Sequence, residues 1–389
     1  MKKIGIINKI IAFSNVDGPG NRTAVFFQGC NLKCLYCHNP ETIRFCVGCG
    51  KCIEACPAGA LDQCHPEPFS CHPEPILPHP EPLSCHPERS EGSHPPCASR
   101  DAGEGDLPQP ITWHPSRCIS CDACIKACPH LASPKLRYMT PEDLLSEIKK
   151  TAPYINGVSF SGGECTLQRD FLVEVIPLIR QLGLGVLLDS NGTYDFEKDP
   201  ELLEMIDGVM LDIKAVDPDF CRALTGAGPE LPIKNLKYLQ SVGKLAEVRT
   251  VLLPEGSGSS GGKSEAVLVT SSCKPTDEGG FAADDGGKWP EGTGEGESLP
   301  SPGRGRGWHG EAVTGEGDLY PTHSMNELTV RSVASLLAPS IPYKLLRYRP
   351  FGVRQEGIDI IGNTITEESA AQALAALARS LGAENCRVV

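Results

Sequence analysis

The sequence predicts an α/β fold in which parallel β/α units lay down a sheet covered on both faces. Apolar, β-rich runs recur along the chain as RTAVFF, NGVSFSGG, GVLLDSNG, GVMLDIKA, LAEVRTVLLP and YKLLRYRPFG. Between them lie PEDLLSEIKKTAPYI, LQRDFLVEVIPLIRQLG and PIKNLKYLQSVG, whose apolar residues repeat with the period of a helix. Continuous apolar strands suit a sheet buried on two sides, and regular alternation with amphipathic helices suits parallel connections. The polar motifs fall at the C-terminal ends of these runs, where α/β sheets place their ligands.

Taken in order, the chain opens on MKKIGIINKIIAF. Lys9 interrupts its apolar run and no small-residue cleavage site follows, so it reads as a first strand and not as a signal peptide. No later run approaches the roughly 18 apolar residues of a membrane span. Two segments lack any core pattern. Residues 64–110 hold 12 prolines and repeat HPEP every seven residues, at His65, His72 and His79, then HPER at His86. Proline at that density forbids a helix and favours an extended, solvated chain. Residues 255–324 hold 17 glycines and near-repeats such as GTGEGE and VTGEGD, with too little apolar surface to offset the entropy of ordering.

Composition bounds the setting. The formal charge of −13 and a pI near 5.3 argue against a polyanion-binding surface, because such a chain releases no counterions from a phosphate backbone. Neither nucleic acid nor a membrane is an expected partner. The 19 cysteines include several C-x2-C pairs. In a long chain these read as metal sites in a thiol-reducing cytoplasm and not as a disulfide scaffold.

Phe27 to Pro40 reads FQGCNLKCLYCHNP, which sets Cys30, Cys34 and Cys37 in C-x3-C-x2-C spacing. Three thiolates are one short of a closed zinc site or an ordinary cubane. Downstream, Cys46, Cys49, Cys52, Cys56-Pro57 and Cys118, Cys121, Cys124, Cys128-Pro129 each spell C-x2-C-x2-C-x3-C-P. In the two-cluster ferredoxin run of this type, the fourth cysteine of one run ligates the other run's cluster. That pairing assigns Cys46, Cys49, Cys52 and Cys128 to one [4Fe-4S] cluster, and Cys118, Cys121, Cys124 and Cys56 to a second. Two zinc ribbons are the competing reading for these runs, and a thioredoxin-like redox pair is the competing reading for CLYC. With eight cysteines used inside the ferredoxin-like part, none is spare for the first loop, and its cluster keeps one iron open. Cys64, Cys71, Cys85 and Cys97, with the histidines around them, have no folded frame for a metal site and read as a translated repetitive element.

The C-x3-C-x2-C loop after a first strand resembles that of the radical S-adenosylmethionine (SAM) superfamily. VDGPGNRTAVFFQGC before the cysteines, CHNP after them, SGGE at Ser161 to Glu164, DSNG at Asp189 to Gly192 and MLDIK at Met210 to Lys214 together resemble the glycyl radical enzyme activating enzymes. The ferredoxin insertion, with SGGECTLQ and LDSNGT, is similar to the YjjW-type activases. The resemblance spans the chain outside the two low-complexity segments. It implies a partial (β/α)6 TIM-like radical SAM barrel with an inserted 2[4Fe-4S] ferredoxin-like domain. The expected division is a core over 1–44, 135–254 and 325–389, a ferredoxin-like domain over 45–63 and 111–134, and disordered insertions over 64–110 and 255–324. Implied cofactors are three [4Fe-4S] clusters, SAM and a monovalent cation. Implied partners are a glycyl radical enzyme related to pyruvate formate-lyase and a flavodoxin or ferredoxin as electron donor. Two other functions stay open: a radical SAM enzyme acting on a small molecule, and a ferredoxin-type electron carrier with a degenerate SAM domain.

Residue by residue, Gly162 and Gly163 end a strand without side chains and allow close approach to the backbone, and Glu164 can accept from an ammonium. The resemblance places this motif at the SAM amino group. It also sets Tyr36 against the adenine, Asn39 and Asn191 among the cofactor contacts, and Lys214 and Arg249 near the SAM carboxylate. Asp189 and Asp212, with Ser190 and Met210, match a monovalent-cation site, for which hard oxygen ligands are suited. Asp17 in VDGPG reads by itself as a turn residue, and the resemblance puts it near the substrate loop. Cys165 reads as a small buried side chain. Taken singly, each of these polar residues can equally be a cap or a surface group.

Overall fold

The computed structural model describes residues 3–63, 111–254, 267–269, 318–320 and 322–389. The HPEP repeat and most of the glycine-rich segment lie outside the described residues. In chain order the strands are β1 Gly5–Ser14, β2 Arg22–Phe27, β3 Leu61–Gln63, β4 Ile111–Trp113, β5 Arg137–Met139, β6 Gly157–Gly162, β7 Gly185–Ser190, β8 Gly208–Asp212, β9 Leu245–Leu252, β10 Val267–Val269, β11 Asp318–Tyr320, β12 Tyr343–Arg347 and β13 Cys386–Val388. The helices are α1 Lys51–Glu54, α2 Ala123–Lys126, α3 Pro141–Lys149, α4 Arg169–Arg180, α5 Pro200–Met205, α6 Pro218–Thr225, α7 Glu230–Ser241, α8 Thr322–Leu336, α9 Gln355–Ile361 and α10 Glu368–Ser380.

Nine strands form one sheet in the order β13-β12-β9-β8-β7-β6-β2-β1-β5. The run from β2 through β6, β7, β8 and β9 to β12 is parallel throughout, and these six strands coincide with the six apolar runs of the sequence. They make the partial (β/α)6 barrel. At one edge β13 joins β12 in parallel; at the other, β1 pairs antiparallel with β2, and β5 antiparallel with β1.

Side chains alternate across each strand, and the two faces differ in kind. Val158, Phe160, Val186, Leu188, Val209 and Leu211 join Phe171, Leu172, Val175, Ile176 and Ile179 of α4 in one apolar core under the helices. Each such side chain contributes about 1.5–3 kcal/mol on burial. The opposite, inner face has Ser159, Ser161, Asp189, Met210, Asp212, Glu247, Arg249 and Lys344. Helix starts follow local chemistry: Thr140 and Asp143 form a reciprocal capping box before Pro141 at the head of α3.

The ferredoxin-like part branches off after the first cysteine loop. Its hairpin pairs β3 with β4 in the register Leu61↔Trp113, Asp62↔Thr112, Gln63↔Ile111. The 255–324 segment departs from the expectation of complete disorder at its apolar points, because β10 and β11 pair antiparallel there and α8 starts at Thr322. VLV and DLY supply the β-favouring residues that the surrounding glycine-rich sequence lacks.

Candidate active site

The first cysteine loop is held by backbone bonds at both ends. Gly29, with φ of +102°, turns the chain out of β2. Its N–H donates to Thr42 O at 2.8 Å, and Cys30 N donates to Ile43 O at 3.0 Å. Lys33 N and Leu35 N donate to Thr225 O and Leu224 O, each at 2.9 Å, which docks the loop on the C-terminal end of α6. Burial pushes the Cys30 thiol up to about 11 and the Cys34 thiol up to about 12, both also in the field of Cys37, and raises Cys37. Such thiols become ligands only when a metal stabilises the thiolate. Among the described residues no three His, Cys, Asp or Glu side chains converge on a single ion. A cubane takes each thiolate on its own iron, and three cysteine thiols on one loop are the donor chemistry it needs.

Gly162 and Gly163 press β6 against this loop. A Cβ on Gly162, where φ is +114°, would lie 2.2 Å from Phe27 N, and one on Gly163 would lie 2.0 Å from Gly29 O. The close approach at both glycines is therefore made by the chain's own backbone. Gly163 N donates to Phe27 O at 3.0 Å and Glu164 N to Gly29 O at 2.8 Å. These contacts aim Glu164 inward, where it is fully buried. Its Oε1 accepts from Thr166 Oγ1 at 2.7 Å, Ser190 Oγ at 3.0 Å and Thr166 N at 3.3 Å; its Oε2 accepts from Asn191 N at 2.7 Å. Burial pushes the carboxyl up, against the pull of these donors. Glu164 has four donors and no cationic partner among the described residues. The Asn191 side chain continues to the loop: Nδ2 donates to Asn31 Oδ1 at 3.1 Å and lies 3.8 Å from Cys30 Sγ.

Lys214 pairs with Asp212 at 2.6 Å, and its ammonium lies 5.7 Å from the centroid of the Tyr36 ring. Burial works against the Lys214 charge, but Asp212, Tyr36 and Cys34 together hold its pKa well above the usual range. Tyr36 is buried, and its hydroxyl has no hydrogen-bond partner among the described residues. Arg249 is not a free cation. Its Nη1 meets Asp189 Oδ2 at 3.0 Å, its Nε meets Glu247 Oε1 at 2.6 Å and its Nη2 lies 3.1 Å from Met210 Sδ, while Lys344 closes on Glu247 at 2.7 Å. Ser161 Oγ donates to Asp189 Oδ2 at 2.9 Å, but Asp189 Oδ1 is buried with no hydrogen-bond partner among the described residues. Burial raises the Asp189 carboxyl, and Arg249 opposes the rise.

Other expected residues serve the frame. Asp17 accepts from Ser14 Oγ at 2.5 Å, and its turn brings Gly18 against Leu187 and Met210. Asn39 is exposed, and its carbonyl accepts from Thr42 Oγ1 at 2.7 Å. Cys165 is buried with its thiol 3.6 Å from Asp189 O. Asn31, Thr166, Glu247 and Lys344 escaped the sequence reading, and Ser161 was read only as part of its motif. For Glu247 the signal was present, since Glu247 and Arg249 stand two apart in LAEVRTVLL and so share one face.

Two small cavities lie in the ferredoxin-like part. Cys46, Cys49, Cys52 and Cys128 line one. Cys56, Cys118, Cys121 and Cys124 line the other. The fourth cysteine of each run thus faces the cavity of the other run.

Residues 115–257 match the family model described as Radical SAM superfamily, and residues 44–62 match that described as 4Fe-4S binding domain. The chain is similar to (2S)-3-sulfopropanediol dehydratase activating enzyme of Klebsiella oxytoca, at 30% identity over 64% of this chain and 70% of that protein. It is similar to indoleacetate decarboxylase activating enzyme of Tractidigestivibacter scatoligenes, at 29% identity over 64% of this chain and 73% of that protein. It is also similar to pyruvate formate-lyase-activating enzyme of Clostridium pasteurianum, at 26% identity over 64% of this chain and 70% of that protein. Among the described residues no helix is long and apolar enough to cross a membrane.

Proposed function

We infer, because the chain belongs to the glycyl radical enzyme activating enzymes of the radical SAM superfamily, that this radical SAM oxidoreductase generates a glycyl radical on a partner enzyme related to pyruvate formate-lyase. The observation that carries the reading is Glu164, a fully buried carboxylate with four donors and no cation, joined through Asn191 to the loop of Cys30, Cys34 and Cys37. A buried carboxylate without a counter-ion is costly, and the ammonium of an amino-acid ligand would complete it.

Cys30, Cys34 and Cys37 would hold a [4Fe-4S] cluster, which would supply the electron for reductive cleavage of SAM and so the radical chemistry that removes a glycine Cα hydrogen. The chain's own residues bind, orient and shield. Glu164 accepts the ammonium, and Lys214 shares its charge between Asp212 and the ligand carboxylate. Arg249 acts indirectly, by holding Asp189. The unpartnered Asp189 Oδ1, with Asp212, Ser190 and Met210, fits a monovalent cation. Tyr36, Asn39 and Asn191 would contact SAM, Gly162 and Gly163 would serve it by bringing β6 and Glu164 up to the cysteine loop, and Asp17 would lie toward the glycine loop. The polar inner face suits a peptide, whose amides need partners once water is excluded. No acid or base is required; position selects the hydrogen.

The two cysteine quartets support two more [4Fe-4S] clusters, which relay electrons from a cytoplasmic flavodoxin or ferredoxin, the arrangement of a YjjW-type activase. Anaerobic incubation with SAM, reductant and a candidate glycyl radical enzyme, followed by EPR, tests the main reading: a glycyl doublet on the partner is expected. SAM turnover with no protein radical on any encoded partner would overturn it in favour of a small-molecule substrate. For the relay, Cys49→Ala and Cys121→Ala should each slow SAM cleavage with the natural reductant, and unchanged rates in folded variants would refute it.

A further inference from the structure

The two halves of the ferredoxin-like part are near copies down to the backbone. Gly48 and Gly50 in the first run have left-handed φ values of 70° and 76°, and Ser120 and Asp122 repeat them in the second at 56° and 57°. At one related pair of positions the halves differ in charge. In the first half Gly50 lies beside Gln63, whose Nε2 reaches Gly48 O at 3.5 Å. In the same register of the second half stand Asp122 and Lys135, joined as an ion pair from Nζ to Oδ1. An aspartate tolerates the left-handed conformation less well than a glycine, so the charged pair sits where the fold prefers glycine.

Lys135 is held in the wall of its cavity, its side chain only 16% exposed. The other cavity has on its wall His130 and the exposed Lys51. Its partner Asp122 is 54% exposed and better screened by water, so at the cavity the Lys135 ammonium is the stronger field of the pair. One-electron reduction adds a negative charge to a cluster, and a fixed, partly desolvated cation beside it favours that state.

We propose that Lys135 sets the cluster held by Cys56, Cys118, Cys121 and Cys124 at a higher reduction potential than the cluster held by Cys46, Cys49, Cys52 and Cys128, so that one electron entering from an external one-electron donor rests there first. This rests on the reading that both quartets hold [4Fe-4S] clusters. The test is an EPR titration of the reconstituted full chain, poised anaerobically with dithionite. The wild-type protein should give two separate midpoints for this domain. Lys135→Gln should lower the upper one by tenfold in the reduction equilibrium, 59 mV for one electron, and Asp122→Asn should raise it; Lys135→Arg should restore it. Opposite signs from the two partners separate a charge effect from damage to the fold. In a Cys49→Ala background the sensitive midpoint should persist. Coincident midpoints, or midpoints that neither charge variant moves, would overturn this inference alone. Iron analysis and EPR that find no clusters in the two quartets would overturn the relay reading along with it.

Discussion

Glu164→Gln isolates the charge of the buried carboxylate at nearly constant shape. The native oxygens take three donors on Oε1 and one on Oε2. Glutamine can keep the first set, but its amide NH2 then faces Asn191 N–H, leaving a buried donor opposed. That costs about 1–3 kcal/mol of stability. Binding should suffer separately, because a charge-assisted hydrogen bond to an ammonium contributes about 1.5–3 kcal/mol, or roughly 10- to 150-fold in Kd. Urea unfolding of the cofactor-free protein reads the first effect, and anaerobic calorimetry of SAM with reconstituted protein reads the second. Stability against pH gives a further readout. Because burial raises the folded-state pKa of Glu164, the native state holds the proton longer than the unfolded chain, and the carboxylate's contribution to stability declines as pH rises from the ordinary carboxylate value through the raised one. Glu164→Gln removes that slope. SAM affinity within twofold of wild type, with the pH slope unchanged, would refute the reasoning.

Three further outcomes follow from the same geometry. Gly163→Ala places a methyl 2.0 Å from Gly29 O and 2.9 Å from Thr42 O, both backbone atoms, so β6 and the cysteine loop must part; a loss of about 1–3 kcal/mol from overpacking and reduced iron loading should appear in denaturation and iron assays. Arg249→Gln leaves the buried Asp189 without its cation while Glu247 keeps Lys344, and about 3–5 kcal/mol of stability should be lost, with the loss growing as pH rises because Asp189 must then ionise unpaired. Cluster loading into the first loop should release protons and speed up with pH between neutrality and mild alkali, since Cys30 and Cys34 are held up to about 11 and about 12; iron content after timed reconstitution at several pH values reads this.

The barrel strands were legible because burial on two sides forces continuous apolar runs, and all six runs became parallel strands. The antiparallel edge was not legible as such. GIINKIIAFS shows only that a strand forms; that it runs antiparallel to β2 and takes on β5, a partner of three residues, no period can reveal. α10, ESAAQALAALARS, is too rich in alanine to display a sharp apolar stripe, although Ala371, Leu374, Ala375 and Ala378 are its buried side. In the site, the cysteine sets and Glu164 stood out from spacing and motif. The restraint on Arg249 did not, because Asp189 lies 60 positions away and the ion pair exists only once β7 and β9 flank β8.

The antiparallel register that sets Gln63 opposite Ile111 brings the chain out of the ferredoxin-like part and back into it at neighbouring points. Whatever length of polypeptide joins those points, the spacing between the two cysteine runs is fixed by the ladder and not by the connector. Sequence can be gained or shed there with a penalty that grows only as the logarithm of length. A chain in which residues 64–110 give way to an Asn-Gly turn should still load both quartets, and this position is a natural port for grafting a tag or a tether.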